Sequence, residues 1–312
     1  MRITSEAMVS RSLDRLHSRL AQYERSQTEL ATGRRILQPS DDPAGTRRAM
    51  SLKSSLQARQ QELRNADDAR GWLDSADTQL QAVTTRLARV RDLATQGASH
   101  QDDNVRVALA SEVRQVIQEI AGIANATHLD RPLFGGFGTG DQVERGPDGV
   151  WRFPEDRQGA TPDEIMRRVS DSEQVRINVT AAEWLGSAVV GTDGNGDPVQ
   201  GPQLLNLLEE IARDLESGAP ADRLSGHLAS IQGAANLVTD NLSRIGAATN
   251  RVDSARSRSI DLQLTLRTEL SQVEDVDIAQ GIMELQVQQV AYEATLQALG
   301  RALPPSLVAF LR

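Results

Sequence analysis

Apolar residues near both ends of the chain step by four and three. At the N-terminal end they fall on Val9, Leu13, Leu16, Leu20, Tyr23 and Leu30, with Gln27 as one polar beat that keeps the phase. At the C-terminal end they fall on Ile278, Ile282, Leu285, Tyr292, Leu296, Leu299 and Leu303, with Gln289 on the polar beat. This alternation is the seam of a coiled coil, which is buried only by a partner helix. Two matching open seams predict a chain that closes on itself or on its neighbours.

Between the ends the same period returns. A first helix is expected over residues 5–33, broken by Gly33. The polar stretch Gln38-Pro39-Ser40-Asp41-Asp42-Pro43-Ala44-Gly45 follows, and its two prolines bracket a turn. Asp41 or Asp42 is the expected cap of the next helix, with Pro43 in its first turn. Ala66, Ala69, Leu73, Ala76, Leu80, Val83, Leu87, Val90, Ala94 and Gly97 carry that helix, and its small residues permit close helix approach. A polar interruption at 97–104 precedes a further helix through Leu109, Val113, Val116, Ile120, Ile123 and Thr127. Helical rhythm resumes near Leu204. From Leu224 it runs through Leu228, Ile231, Ala235, Val238, Leu242, Ile245, Thr249 and Val252 to Leu262, Leu266 and Val273.

Residues 131–202 read differently. They hold six of the eleven prolines, twelve of the 23 glycines, three of the four Phe and two of the three Trp, and no heptad survives. Short runs such as Val150–Phe153 and Val175–Thr180 alternate apolar and polar residues, as strands do. The expected fold is mainly α with a β-rich insert: an elongated bundle of long antiparallel coiled-coil helices from the two terminal regions, with a small β domain at the tip. The expected division is terminal helices at 1–40 and 275–312, a helical bundle domain at 41–130 and 203–274, and an inserted outer domain at 131–202. The apolar tail Leu303–Arg312 should dock against something, with the first helix as the natural candidate.

Composition sharpens this. Aromatics are 3% of 312 residues, so the core must come from Leu, Ile, Val and Ala, which suits long helices packed side by side. There is no cysteine, which excludes disulfides and thiolate metal sites. The net charge of -9 argues against a nucleic-acid partner, which needs a basic face. No stretch is long and apolar enough for a membrane span, so no membrane insertion is expected. The first eight residues lack the continuous apolar core of a cleaved signal, so departure from the cell would use another route.

The candidate chemistry is weak, and no catalytic, cofactor-binding or metal residue is expected. Asp193–Asp197 resembles a calcium loop, but its sixth and twelfth positions would be Pro198 and Leu204, where an EF-hand needs Gly and Glu. A tight turn fits better. His17, His100, His128 and His227 are scattered without metal-like spacing. Ser40-Asp41-Asp42 has no nearby histidine and reads as a cap. Gly135–Gly140 lacks the Lys-Ser or Lys-Thr of a phosphate loop. Asn125-Ala126-Thr127 and Asn178-Val179-Thr180 match a glycosylation sequon, which is common by chance.

Several segments resemble the flagellin superfamily. Met1-Arg2-Ile3-Thr4 and Ala31-Thr32-Gly33-Arg34-Arg35-Ile36 look like its N-terminal signature. Ser243–Val252 and Leu307-Val308-Ala309-Phe310-Leu311-Arg312 look like its C-terminal one. Where flagellins usually carry a Lys-Asp-Asp-Ala-Ala-Gly type of sequence, this chain has Pro39-Ser40-Asp41-Asp42-Pro43-Ala44-Gly45. That is more similar to the type 3 hook-associated branch, as is Leu133-Phe134-Gly135-Gly136-Phe137. Pro304-Pro305 departs from the pattern, in which one proline is common.

The resemblance implies a non-enzymatic structural protein of the bacterial flagellum, secreted unfolded through its export channel. It implies a ring between hook and filament, with the terminal helices as inner tube and the insert facing outward. The implied partners are other copies of the chain, the type 1 hook-associated protein, flagellin and a flagellar export chaperone. The implied assembly residues are the two seams together with Leu307, Phe310 and Leu311. A short flagellin and a soluble coiled-coil adaptor remain alternatives. Isolated heptad helices are marginal in water, so the ends should order only on assembly. Ordering costs about 1 to 2 kcal/mol per residue in backbone entropy. Burial of large aliphatic side chains, at about 1.5 to 3 kcal/mol each, offsets it only beside neighbours.

Overall fold

A computed structural model describes residues 2–99, 102–155, 163–192 and 197–302, with the backbone alone at 2–9 and 299–302. Among them are seven α-helices: α1 Arg2–Thr32, α2 Pro43–Ser99, α3 Asp103–Ala124, α4 Ala181–Leu185, α5 Gln203–Glu216, α6 Ala221–Glu274 and α7 Ile278–Ala302. Eight short strands lie between α3 and α5: β1 Thr127–His128, β2 Arg131–Pro132, β3 Glu144–Arg145, β4 Trp151–Arg152, β5 Met166–Arg168, β6 Gln174–Arg176, β7 Ser187–Thr192 and β8 Pro198–Pro202. They pair as four separate antiparallel ladders, β1-β2, β3-β4, β5-β6 and β7-β8. The fold is therefore mainly α with a β-rich stretch, as the periodicity predicts. The expected runs at 150–153 and 175–180 contain β4 and the end of β6.

The chain divides into two compact units, one within Met1–Ala58 and Leu262–Arg312, the other Arg59–Asp261. Both α2 and α6 contribute to each.

In the Arg59–Asp261 unit the predicted stripe of α2 is the core. Ala66, Ala69, Leu73, Ala76, Leu80, Val83, Leu87, Val90 and Ala94 are all buried. Ion pairs flank this seam: Arg256 Nε to Asp67 Oδ1 at 2.8 Å and Arg70 with Asp253 tie α2 to α6, and Arg86 Nε to Glu119 Oε2 at 2.7 Å ties α2 to α3. Such exposed pairs set register more than stability, at about 0–1 kcal/mol each. Gly97 is buried where α5 crosses, and a Cβ there would collide with Leu215. On α6, Leu224, Ile231, Val238, Ile245 and Val252 are buried.

Two expectations need correction. The helix through Leu109 does not reach Thr127; it ends at Ala124. Asn125 stops it by turning its side chain to the next loop, where Oδ1 accepts from Gln142 N–H (2.7 Å) and Val143 N–H (3.0 Å). Thr127 starts β1 instead, and the β1-β2 turn puts Leu129 (φ 50°) and Asp130 (φ 59°) in the left-handed region. A two-residue hairpin demands this geometry, and it costs about 1–2 kcal/mol per non-glycine residue. Leu262 also leaves the predicted α6 stripe: it is exposed.

The β-rich stretch has its own aromatic centre. Trp184 of α4 is fully buried against Phe134, with ring centroids 5.4 Å apart. Gly201 of β8 lies so close to the Trp151 carbonyl that a Cβ would collide with it. Glu183 closes the start of α4, accepting from Thr180 N–H at 2.7 Å and pairing with Arg176 at 2.7 Å. Burial pushes the Glu183 carboxyl up, but the Thr180 N–H and the Arg176 guanidinium together pull it below its ordinary value. Both sequon asparagines are engaged: Asn125 as above, and Asn178, which is buried and bonds Ile165 N–H (2.7 Å) and the Asp163 carbonyl (2.6 Å). Asp193–Gly196 of the calcium-like sequence lie outside the described residues, as does His100.

Candidate assembly site

The Met1–Ala58 and Leu262–Arg312 unit brings the two sequence seams together. α1 lies along α7, with the Tyr23 and Tyr292 rings stacked at 6.4 Å and 14° between planes. Leu30 reaches Gly281, whose missing side chain makes the room: a Cβ there would stand 2.8 Å from Leu30 Cδ2. This pairing is antiparallel, since residue 23 meets 292 and residue 30 meets 281. Leu16, Leu20, Tyr23, Leu30, Leu285 and Tyr292 are half-buried. A groove of about 650 Å³ runs between the helices, lined by Ser12, Arg15, Ser18, Arg19, Gln22, Ala294, Thr295 and Ala298.

Other seam residues stay outside this pairing. Leu13, Ile278, Ile282 and Leu296 are exposed, Ile278 by 63%. The side chains of Val9 and Leu299 are not described, and Leu303, Leu307, Phe310 and Leu311 lie outside the described residues, with Pro304 and Pro305. Sequence reasoning missed a second stripe on α7. Met283, Val287 and Val290 step by four and three and are 61–66% exposed. The signal was present, but α7 carries apolar residues on more than one face, so one seam hid the other.

A clamp joins the loop after α1 to the loop before α7. Gly33 takes φ +68° and ends α1. Arg35 N–H then donates to the Glu274 carbonyl at 2.7 Å, and Val276 N–H to the Gly33 carbonyl at 3.0 Å. The Arg35 guanidinium donates to the Val273 carbonyl at 2.9 Å. Lys53 pairs with Glu274. Ala49, Leu52 and Val273 are buried together beneath, with Ile36, Leu266 and Leu270 against them.

The motif Pro39, Ser40, Asp41, Asp42 and Pro43 shapes this clamp. Asp41 Oδ2 accepts from Leu37 N–H (3.2 Å) and Gln38 N–H (2.9 Å), and its Oδ1 pairs with Arg25 at 3.2 Å. Asp42 caps α2, accepting from Gly45 N–H at 2.8 Å. That bond and the nearby Arg35 hold its carboxyl below the usual aspartate value, against a smaller desolvation effect. So Asp42 is the helix cap, and Asp41 closes the turn before it.

The profile described as bacterial flagellin N-terminal helical region matches residues 3–134, and the one described as bacterial flagellin C-terminal helical region matches 228–311. The chain belongs to the flagellin family. That places it among structural proteins of the bacterial flagellum. Within the family it is 23% identical to polar flagellin F of Vibrio parahaemolyticus, over 89% of this chain and 90% of that one. It is also 23% identical to flagellar hook-associated protein 3 of Escherichia coli, over 96% of each chain. Its fold is similar to that of flagellar hook-associated protein 3 from Legionella pneumophila, with a TM-score of 0.62 and 12% identity, over 72% of this chain and 98% of that one. No helix among the described residues of this flagellin-family chain is long and apolar enough to cross a membrane.

Proposed function

We propose that this chain is the junction protein between the flagellar hook and filament. Copies form a ring seated on the type 1 hook-associated protein, and flagellin assembles on that ring. The chain is secreted unfolded, with an export chaperone, and works outside the cell. Residues 1–40 and 275–312 form the inner tube, 41–130 and 203–274 the surrounding bundle, and 131–202 the outward domain. The apolar residues that α1 and α7 leave exposed, Leu13, Ile282, Met283, Val287, Val290 and Leu296 among them, meet the same helices of neighbouring copies.

The observation that carries this reading is the turn Pro39–Gly45. Its sequence resembles the hook-associated type more than the flagellin type, and both aspartates are committed to holding it. The match along 96% of hook-associated protein 3 supports it. The equal identity to a flagellin favours a second reading, a short flagellin that builds the filament itself. Electron microscopy of flagella, labelled with an antibody against residues 131–202, separates the two. Label at the hook–filament boundary is expected; label along the whole filament assigns the chain to flagellin.

A further inference from the structure

The corner between α5 and α6 holds a group of side chains that neither the seams nor the clamp uses. Glu210 and Asp214 stand one turn apart on α5, so their carboxylates share a face. His227 of α6 meets them: its Nε2 is 2.8 Å from Asp214 Oδ2. One ligand atom from each of the three lies within 4.8 Å of the others, and this is the one such group among the described residues. Asp214 and His227 are buried, with side chains 8% and 10% exposed, while Glu210 opens to solvent at 54%.

A carboxylate this buried needs a compensating cation. Arg223 supplies it, but loosely. Its side chain is 57% exposed, its Nε is 2.8 Å from Asp214 Oδ2, and its contact to Glu210 is long at 3.5 Å. It does not form the two-pronged pairing that makes arginine–carboxylate bonds strong. A compact dication would supply the same compensation through three direct bonds. One imidazole and two carboxylates, with a fourth position open to solvent at Glu210, suit a tetrahedral zinc-type ion and not the all-oxygen shell of calcium or magnesium.

We propose that Glu210, Asp214 and His227 bind a divalent transition metal ion of the zinc or cobalt type, and that Arg223 is the resident competitor for the site. Binding requires the lone pair on His227 Nε2, so the ring proton moves to Nδ1, and the Arg223 guanidinium swings to solvent. The ion then fastens the end of α5 to the start of α6. The proposal does not depend on the junction reading.

The test uses the full chain, freed of metal with a chelator and titrated with Co²⁺, followed by visible absorption and calorimetry. One ion per chain is expected, with a rise in the thermal midpoint. Binding should be lost in His227→Asn and weakened in Glu210→Gln, whose exposed side chain makes misfolding a poor explanation. Arg223→Ala is the decisive variant. Removing a competitor tightens Co²⁺ binding, whereas loss of a merely structural ion pair would leave it unchanged or weaker. Absence of one-to-one binding, indifference to Glu210→Gln, or unchanged or weaker binding in Arg223→Ala would each overturn the proposal.

Discussion

Glu183 shows how much a single side chain can hold. It is the acceptor for the first turn of α4 and the partner of Arg176, and its carboxyl sits below its ordinary value of about 4.3. A lowered carboxyl contributes stability that is complete above the unfolded value and is lost as the pH falls through the folded one. Acid unfolding of the Arg59–Asp261 unit should therefore steepen below about pH 4.3. Glu183→Gln should flatten that limb while lowering stability near neutrality, as read from urea midpoints along a pH series. Not every residue-level role could be read from the sequence. Asn125 and Asn178 match a sequon that is common by chance, and their actual role, bonding backbone groups where a short polar side chain replaces a missing strand partner, was not visible in it. Leu129 in the left-handed region contradicts its own preference, which only the two-residue hairpin around it explains.

At the scale of elements, the long helices were legible. Every residue of the α2 stripe from Ala66 to Ala94 is buried, since a period sustained over many turns can satisfy only one geometry. The ladders were much less so. Strands of two to six residues give too few alternations to fix a partner, and the stretch between α3 and α5 forms four separate pairs where the sequence showed two runs. The clamp was half legible: the Pro39–Gly45 turn was visible, but its bonds to residues more than 200 positions away were not. Asp41 tests it. Asp41→Ala removes the acceptor for two backbone N–H groups and should cost about 1–2 kcal/mol. The expected readout is an earlier first transition in urea, with the midpoint of the Arg59–Asp261 unit unchanged. The α5–α6 metal candidate was invisible for another reason. Its three ligands come from two helices, and no linear spacing encodes their meeting.

For the whole molecule, the question is when each unit becomes ordered. The Arg59–Asp261 unit carries the large aliphatic and aromatic core. The other unit relies on one helix pair with half-buried seams and a small cluster around Leu52. Hydrogen exchange on the free monomer should accordingly be fast before about residue 35 and after about residue 275, and slow along α2, α3 and α5. Exchange at the ends should slow on assembly. Protection of both ends in the monomer would show that α1 and α7 hold each other without neighbours, and the conditional ordering argued above would fail. The family and the helical framework were recoverable from the terminal motifs because those segments combine a rhythm with fixed turn residues. The insert offered no comparable constraint.

The backbone bonds between Gly33–Arg35 and Glu274–Val276 also impose a timetable. They join positions far apart in the chain, with the Arg35 side chain reaching 238 residues ahead to Val273. Whatever delivers this polypeptide N-terminus first, a ribosome or a narrow conduit, must release it past residue 276 before that knot can be tied. Contacts between distant parts of a chain form slowly in any case. The leading end must therefore travel unfastened until its counterpart arrives.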